Sequence, residues 1–374
     1  MREYALVFCV AAAVTFLLTP VVRRLAMRSG VVKQPSAGGV HTIPTPELGG
    51  IAMYAGVAAA LLVAHKMPTL QRTFQNSSAT TAILIAAGLM CFIGALDDKW
   101  DLDALTRFAG MIVAAGVMVL MGVQLFLFYV PFGGIGTVLL GRDEAVPLTI
   151  LFCVATVNAV NWIDGLDGLA AGVTCISAVA FFAYSYHLGV VGYGDVAYPP
   201  TLICAVTAGV CAGFLPHNFS PARIFMGDSG AYMLGLLLAS ATTTATNADS
   251  QTFGSLAGSL PLVLPLVIPA LVLAIPLGDM LVVIARRLRS GKAPWASADR
   301  KVHLPHRMLK LGHTPRRTVL IIYLWAALIA FGGVAMTLTD SITMVLSLVA
   351  GLAVVALVLS NVPRLRALRR TGRA

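Results

Sequence analysis

Long apolar runs broken by short polar clusters dominate this chain. The first spans Tyr4 to Val22 and is followed, not preceded, by the basic residues Arg23, Arg24 and Arg28. A cleavable signal peptide has a basic start and a shorter core, so this run reads as a membrane span with its N-terminus outside. Further spans are expected at 49–65, 79–96, 107–124, 147–160, 169–187, 200–215, 230–245, 257–285, 318–337 and 342–362. Each comes near the roughly 20 apolar residues that a helix needs to cross a bilayer, and together they make about 11 spans. The 257–285 run carries Pro261, Pro265, Pro269 and Pro276 and is expected to break or kink there. The stretch 125–146 is short, aromatic and β-branched around a Gly-Gly turn, and reads as an external β-hairpin. The expected fold class is all-α, a polytopic integral membrane protein. It forms one membrane-embedded domain over residues 1–374, with a cytoplasmic C-terminus and a basic tail at 363–374.

Composition agrees with the membrane reading. The chain is 58% hydrophobic and 11% charged, with a mean hydropathy of +0.86, whereas soluble domains carry about 25% charged residues. A formal charge of +10 in a soluble protein would point to nucleic acid. Here the distribution accounts for it: 22 of the 26 Lys and Arg residues fall in loops that this arrangement puts in the cytoplasm. Only Arg2, Lys66, Arg72 and Arg142 lie outside. That is the positive-inside bias of a membrane protein, so the expected partner is the lipid bilayer and not nucleic acid. The cysteines at 9, 91, 153, 175, 204 and 211 sit in apolar runs without CxxC spacing, as small core hydrophobes.

The same arrangement gathers the candidate chemistry on one face. The loop near 97–106 holds Asp97, Asp98, Asp101 and Asp103, and the one near 158–169 holds Asn158, Asn161, Asp164 and Asp167. The loop near 216–230 adds Asn218, Arg223 and Asp228, and that at 286–317 adds His303, His306 and Arg307 among other basic residues. The i, i+3 spacing from Asn158 to Asp167 would stack those four along one helix face. Each cluster alone has a plain structural reading: a solvated turn, an N-cap by Asp228 or Ser229, a pair of interfacial histidines. Jointly they say more. Gathered carboxylates repel and call for a cation, and hard oxygen donors suit Mg²⁺ or Mn²⁺ bridging to substrate phosphates. A neighbouring His/Arg loop would hold the phosphates. Together these point to phosphoryl transfer at a membrane surface.

The blocks PTPELGGIAMY, GALDDKWDLDALTRF, NAVNWIDGLDGLAAG, HNFSPARIFMGDSGAYMLG, PLGDMLVVIARRL and DRKVHLPHRML, in this order, resemble the polyprenyl-phosphate N-acetylhexosamine-1-phosphate transferases of glycosyltransferase family 4. The resemblance implies a bacterial plasma-membrane enzyme with a cytoplasmic active site. It would move N-acetylglucosamine 1-phosphate from UDP-GlcNAc to undecaprenyl or decaprenyl phosphate, releasing UMP, as the first membrane step of a cell-envelope glycan. Asp228 would bind Mg²⁺ (or Mn²⁺), with Asn161 as second ligand. Asp97 and Asp98 would lie beside the lipid phosphate as base, metal-site support or both. Asn218 and Phe225 would hold the uracil, and Asn158, Asp164 and Asp167 would contribute to the nucleotide-sugar pocket. His303, His306 and Arg307 would contact the pyrophosphate. Pro305 stands where this branch often has a histidine, and the segment before HTIPTPELGG lacks the basic residues of relatives, leaving Lys33 or His41 for any phosphate role there. A phosphate monoester has a second pKa near 6, so the lipid acceptor is already mostly dianionic; this favours electrostatic and positioning roles for Asp97 and Asp98. The alternatives are a phospho-N-acetylmuramoyl-pentapeptide transferase, whose final motif is richer in histidine, and a membrane transporter, for which the chain lacks an internal repeat. The sequence is compatible with a homodimer.

Overall fold

The computed structural model describes residues 1–34, 44–75, 78–130, 136–190, 198–250, 271, 273–291, 304–339 and 341–371. The chain is mostly helical. In chain order the helices are α1 (Arg2–Ser29), α2 (Gly49–His65), α3 (Pro68–Gln75), α4 (Ala79–Trp100), α5 (Ala104–Leu120), α6 (Arg142–Ile163), α7 (Leu169–Leu188), α8 (Tyr198–Asn218) and α9 (Gly227–Ser250). They continue with α10 (Ala274–Arg289), α11 (Leu304–Lys310), α12 (Pro315–Leu338) and α13 (Ile342–Thr371). Among the described residues, seven helices are long and apolar enough to cross a membrane, and α2 with α3 makes an eighth if that pair, bent by 109°, is one span. The protein is a multi-pass membrane protein.

One helix organises the rest. α9 packs against α2, α4, α6 and α8, and its residues from Ser229 to Ala245 are buried on every side. At the other extreme, only 11% of the apolar window of α13 is buried, and Leu348, Val354 and Leu357 lie on its outer surface. α1 likewise turns Leu6, Leu17 and Leu25 outward. Apolar side chains that no protein atom covers belong against lipid tails.

The helix ends follow local chemistry. α1 runs through its basic cluster to Ser29, well past the expected end at Val22, and stops at Gly30 with φ 74°. Asp103 caps α5, accepting from the Leu105 and Thr106 amides, so this aspartate of the first acidic loop is a helix cap. Thr314 caps α12, with Pro315 in its first turn.

Among the described residues there are also two short antiparallel ladders. β1 (Val32–Lys33) pairs with β2 (Thr45–Pro46), and β3 (Leu127–Val130) pairs with β4 (Gly136–Leu139). The expected hairpin over 125–146 is too long at its C-terminal side, because α6 already begins at Arg142. Pro147 lies near the helix start, and Asp143 and Glu144 in the first turn complement the positive end of the helix dipole. Most of the proline-rich 257–285 run lies outside the described residues.

Candidate active site

The N-terminus of α9 is the point where the acidic clusters meet. Asp98, near the end of α4, accepts from the Asp228 amide through Oδ1 at 2.6 Å and from the Ser229 amide through Oδ2 at 3.2 Å. A carboxylate from one helix thus caps another, satisfying amides that have no partner within α9. The approach depends on missing side chains. A Cβ on Gly94 would lie 2.4 Å from the Asp228 carbonyl, and one on Gly50 would lie 2.2 Å from the Gly230 nitrogen.

Asp97 is buried and fully engaged. Its Oδ1 accepts from the Leu102 amide at 2.9 Å and lies 3.2 Å from Arg107 Nε; its Oδ2 accepts from the Tyr232 hydroxyl at 2.6 Å. Arg107 also pairs with Asp101 at 3.0 Å. Tyr232 stands one turn beyond Asp228 on α9, so Asp97 is tied to the helix that carries Asp228. Asn161 Nδ2 donates to Asp228 Oδ1 at 2.5 Å.

This donor set fits a hard divalent cation. Asp98 spends both oxygens on backbone amides, while Asp228 meets only side chains at its carboxylate, and Asn161 can present its amide oxygen after a rotation. Among the described residues no three His, Cys, Asp or Glu side chains form a ligand group. Two protein ligands still suit Mg²⁺, which keeps several waters and shares itself with phosphate.

The second acidic loop does not form one continuous face. α6 ends at Ile163, so Asp164 is its C-cap and Asp167 lies in the turn beyond. Asn158 Nδ2 donates to Val154 O at 2.8 Å and contacts Met111 Sδ at 3.4 Å. Asp167 Oδ2 accepts from the Ala222 amide at 3.0 Å. Asn218 is buried and used at both ends of its amide: it accepts from the Gly168 amide at 3.1 Å and donates to Ile224 O at 3.0 Å. It braces two loops. Arg23 and Arg316 brace the same region by donating to Arg223 O and Ser220 O, at 2.9 and 3.0 Å. Phe225 is half-buried, its backbone bonded to Pro46 and Gly49.

Burial pushes the Asp164 carboxyl up to about 7, against the pull of Lys33. Lys33 Nζ pairs with Glu47 Oε1 at 2.8 Å and also feels Asp228 and Asp164. Burial alone would lower the Lys33 pKa; those carboxylates outweigh it, and the net displacement is upward.

His303 lies outside the described residues, as does the side chain of His306. Arg307 is exposed on α11. The start of that helix is held by Asp279 of α10, which accepts from the Leu304 amide at 2.7 Å. α10 in turn sits on α6, with Arg287 4.9 Å over the Trp162 ring, next to Asn161.

Glu47, Arg107, Tyr232 and Asp279 all belong to the site's framework without having been singled out from sequence. Each sits inside a block quoted above. For Tyr232 the i, i+4 spacing from Asp228 was a readable signal. For Glu47 and Asp279 only the three-dimensional partner reveals the role.

Fold and site together define a multi-pass membrane protein with a buried acidic centre where helix ends converge. The chain belongs to glycosyl transferase family 4, the family of the polyprenyl-phosphate N-acetylhexosamine-1-phosphate transferases; the family's sequence profile matches residues 80–246. It is 46% identical over 368 residues to the decaprenyl-phosphate N-acetylglucosaminephosphotransferase of Mycolicibacterium smegmatis, covering 98% of this chain and 90% of that protein. The protein of the same name from Mycobacterium tuberculosis is 45% identical over 333 residues, covering 89% and 82%. The undecaprenyl-phosphate alpha-N-acetylglucosaminyl 1-phosphate transferase of Escherichia coli is 28% identical over 316 residues, covering 83% and 78%.

Proposed function

We propose that this protein transfers N-acetylglucosamine 1-phosphate from UDP-GlcNAc to a polyprenyl phosphate, decaprenyl or undecaprenyl, and releases UMP. The observation that carries the reading is the convergence of Asp97, Asp98, Asp228 and Asn161 at the N-terminus of α9, in a chain similar along nearly its whole length to a protein named for that reaction. The pentapeptide transferase and the transporter have no comparable support.

Asp228 and Asn161 would hold Mg²⁺, or Mn²⁺ in its place. When bound, the cation would relieve repulsion between the two phosphate anions and stabilise the departing UMP. The protein's own residues supply positioning. Asp98 and Asp97 lock α4 to the start of α9 and have their oxygens occupied, which agrees with the dianionic acceptor needing no strong base. Asp164 and Asp167 shape the loop beside Phe225, where the nucleotide would lie. Arg307 and the histidines of the 286–317 loop would approach the pyrophosphate on the side of α11.

The reading includes eleven spans, an outside N-terminus, an external β3–β4 hairpin and an active site on the cytoplasmic face, as the distribution of basic residues favours. A cysteine introduced near Ser290 should then resist an impermeant reagent in intact cells; labelling from outside would overturn the topology. The activity is tested by offering purified protein UDP-GlcNAc, UDP-GalNAc and UDP-N-acetylmuramoyl-pentapeptide with decaprenyl phosphate and measuring UMP. Release with UDP-GlcNAc well above the others is expected. Equal or greater release with the pentapeptide substrate would overturn the assignment.

A further inference from the structure

The geometry points to Lys33 as a phosphate-binding cation of this site, anchored by Glu47. This rests on the function proposed above and adds a residue from the β1–β2 ladder to the site. The β1–β2 ladder brings Lys33 opposite Thr45, beside Glu47. The strand that presents Glu47 is stitched to the approach to Asp228: the Phe225 amide donates to Pro46 O at 2.9 Å, and the Gly49 and Gly50 amides donate to Phe225 O and Met226 O at 3.0 and 2.9 Å. The ion pair is therefore part of the rigid floor of the site.

Its two partners differ in exposure. The Glu47 side chain is 10% exposed, that of Lys33 48%. The lysine side chain keeps an open side while the glutamate side chain does not. An ammonium has three donors, and Glu47 takes one, so Lys33 can meet a phosphate oxygen without leaving its anchor. The charge balance asks for it. Asp98 and Asp164 both feel Glu47, and Asp164 and Asp228 both feel Asp98, while Arg107, the nearby cation of α5, is committed to Asp97 and Asp101. A nucleoside diphosphate entering such surroundings meets repulsion that one divalent cation offsets only in part. Lys33 supplies a compact positive charge on the same floor.

The test is binding of UDP and of uridine to the purified full-length protein, measured by calorimetry in the presence of Mg²⁺. Lys33→Met should weaken UDP at least tenfold and leave uridine within twofold, because only UDP carries phosphates. Glu47→Gln, which keeps a polar partner for the ammonium, serves as the background for a second comparison. Since Lys33→Met strands a buried carboxylate that could disturb folding, the double variant Lys33→Met/Glu47→Gln repeats the comparison without it, and UDP should again weaken tenfold relative to Glu47→Gln. UDP affinity in the double variant within twofold of Glu47→Gln overturns this inference alone. Failure of the unaltered protein to bind UDP overturns the proposed function, and this inference with it.

Discussion

Placing a single methyl group on Gly94 should dismantle the centre without replacing any charged residue. α4 and α9 meet backbone to backbone there, and an alanine Cβ would stand 2.4 Å from the Asp228 carbonyl carbon and oxygen and from the Ser229 nitrogen. Comfortable carbon contacts begin at about 3.5 Å, so the helices must part by roughly 1 Å. Asp98 lies one turn further on the same face of α4. The same shift would stretch its bonds to the Asp228 and Ser229 amides, now 2.6 and 3.2 Å, toward or beyond the hydrogen-bonding limit. Overpacking of this kind costs about 1–3 kcal/mol, which should lower the unfolding midpoint in detergent by several degrees. Transfer should fall by about 100-fold, because misplacing a reacting centre by about 1 Å costs that much. Gly116 on α5 is the control: a Cβ there meets nothing within 4 Å, and alanine is about 1 kcal/mol the better helix former. Gly94→Ala with the unaltered midpoint and turnover within twofold would refute the argument that backbone contact sets the geometry of the site.

Three further outcomes are expected. Asp228→Asn should abolish transfer while keeping the unfolding midpoint, since Asn161 retains a hydrogen-bonding partner and a carboxylate leaves a crowded cluster; turnover near normal at ordinary Mg²⁺ would remove Asp228 from the metal site. Asp164→Asn should raise the midpoint in metal-free buffer at pH 8 but hardly at pH 4.5. The folded carboxyl holds its proton up to about 7, the unfolded one to about 3.9, so its contribution to stability is lost as pH rises between those values; an equal effect at both pH values would contradict this. Asp279→Ala should speed amide exchange across 304–310 and slow transfer roughly tenfold, as a lost cap costs about 1 kcal/mol, with Asp279→Asn restoring both; unchanged exchange would show that α11 does not depend on this contact.

How much of this was legible in the sequence depended on which force was in charge. Where lipid imposes the rule, the reading was good: polar clusters such as 97–103 and 158–167 do fall at helix ends, because a bilayer excludes them from helix middles. That Asp97, Asp98 and Asp228 share one end of the bundle was readable from the order of the spans, and their meeting at the start of α9 is seen in the structure. Burial was not readable. Both 230–245 and 342–362 read as spans, yet α9 is enclosed and α13 faces outward, because lipid and protein interior are both apolar. Partner choice was also hidden. Asn218 is a polar residue in a polar block, and only its two backbone partners reveal a brace. Lys33 and Glu47 are 14 residues apart, and nothing in their spacing marks them as a pair until the β1–β2 ladder closes.

The central claim is that sugar and phosphate travel together. UDP-GlcNAc labelled with ¹⁴C in the sugar and ³²P in the β-phosphate, given to the protein in nanodiscs with decaprenyl phosphate, tests it directly. The account predicts a lipid product carrying both labels in equal molar amounts, with unlabelled UMP released. A lipid carrying ¹⁴C without ³²P, with labelled UDP as the other product, would make the reaction a plain glycosyl transfer and contradict the account.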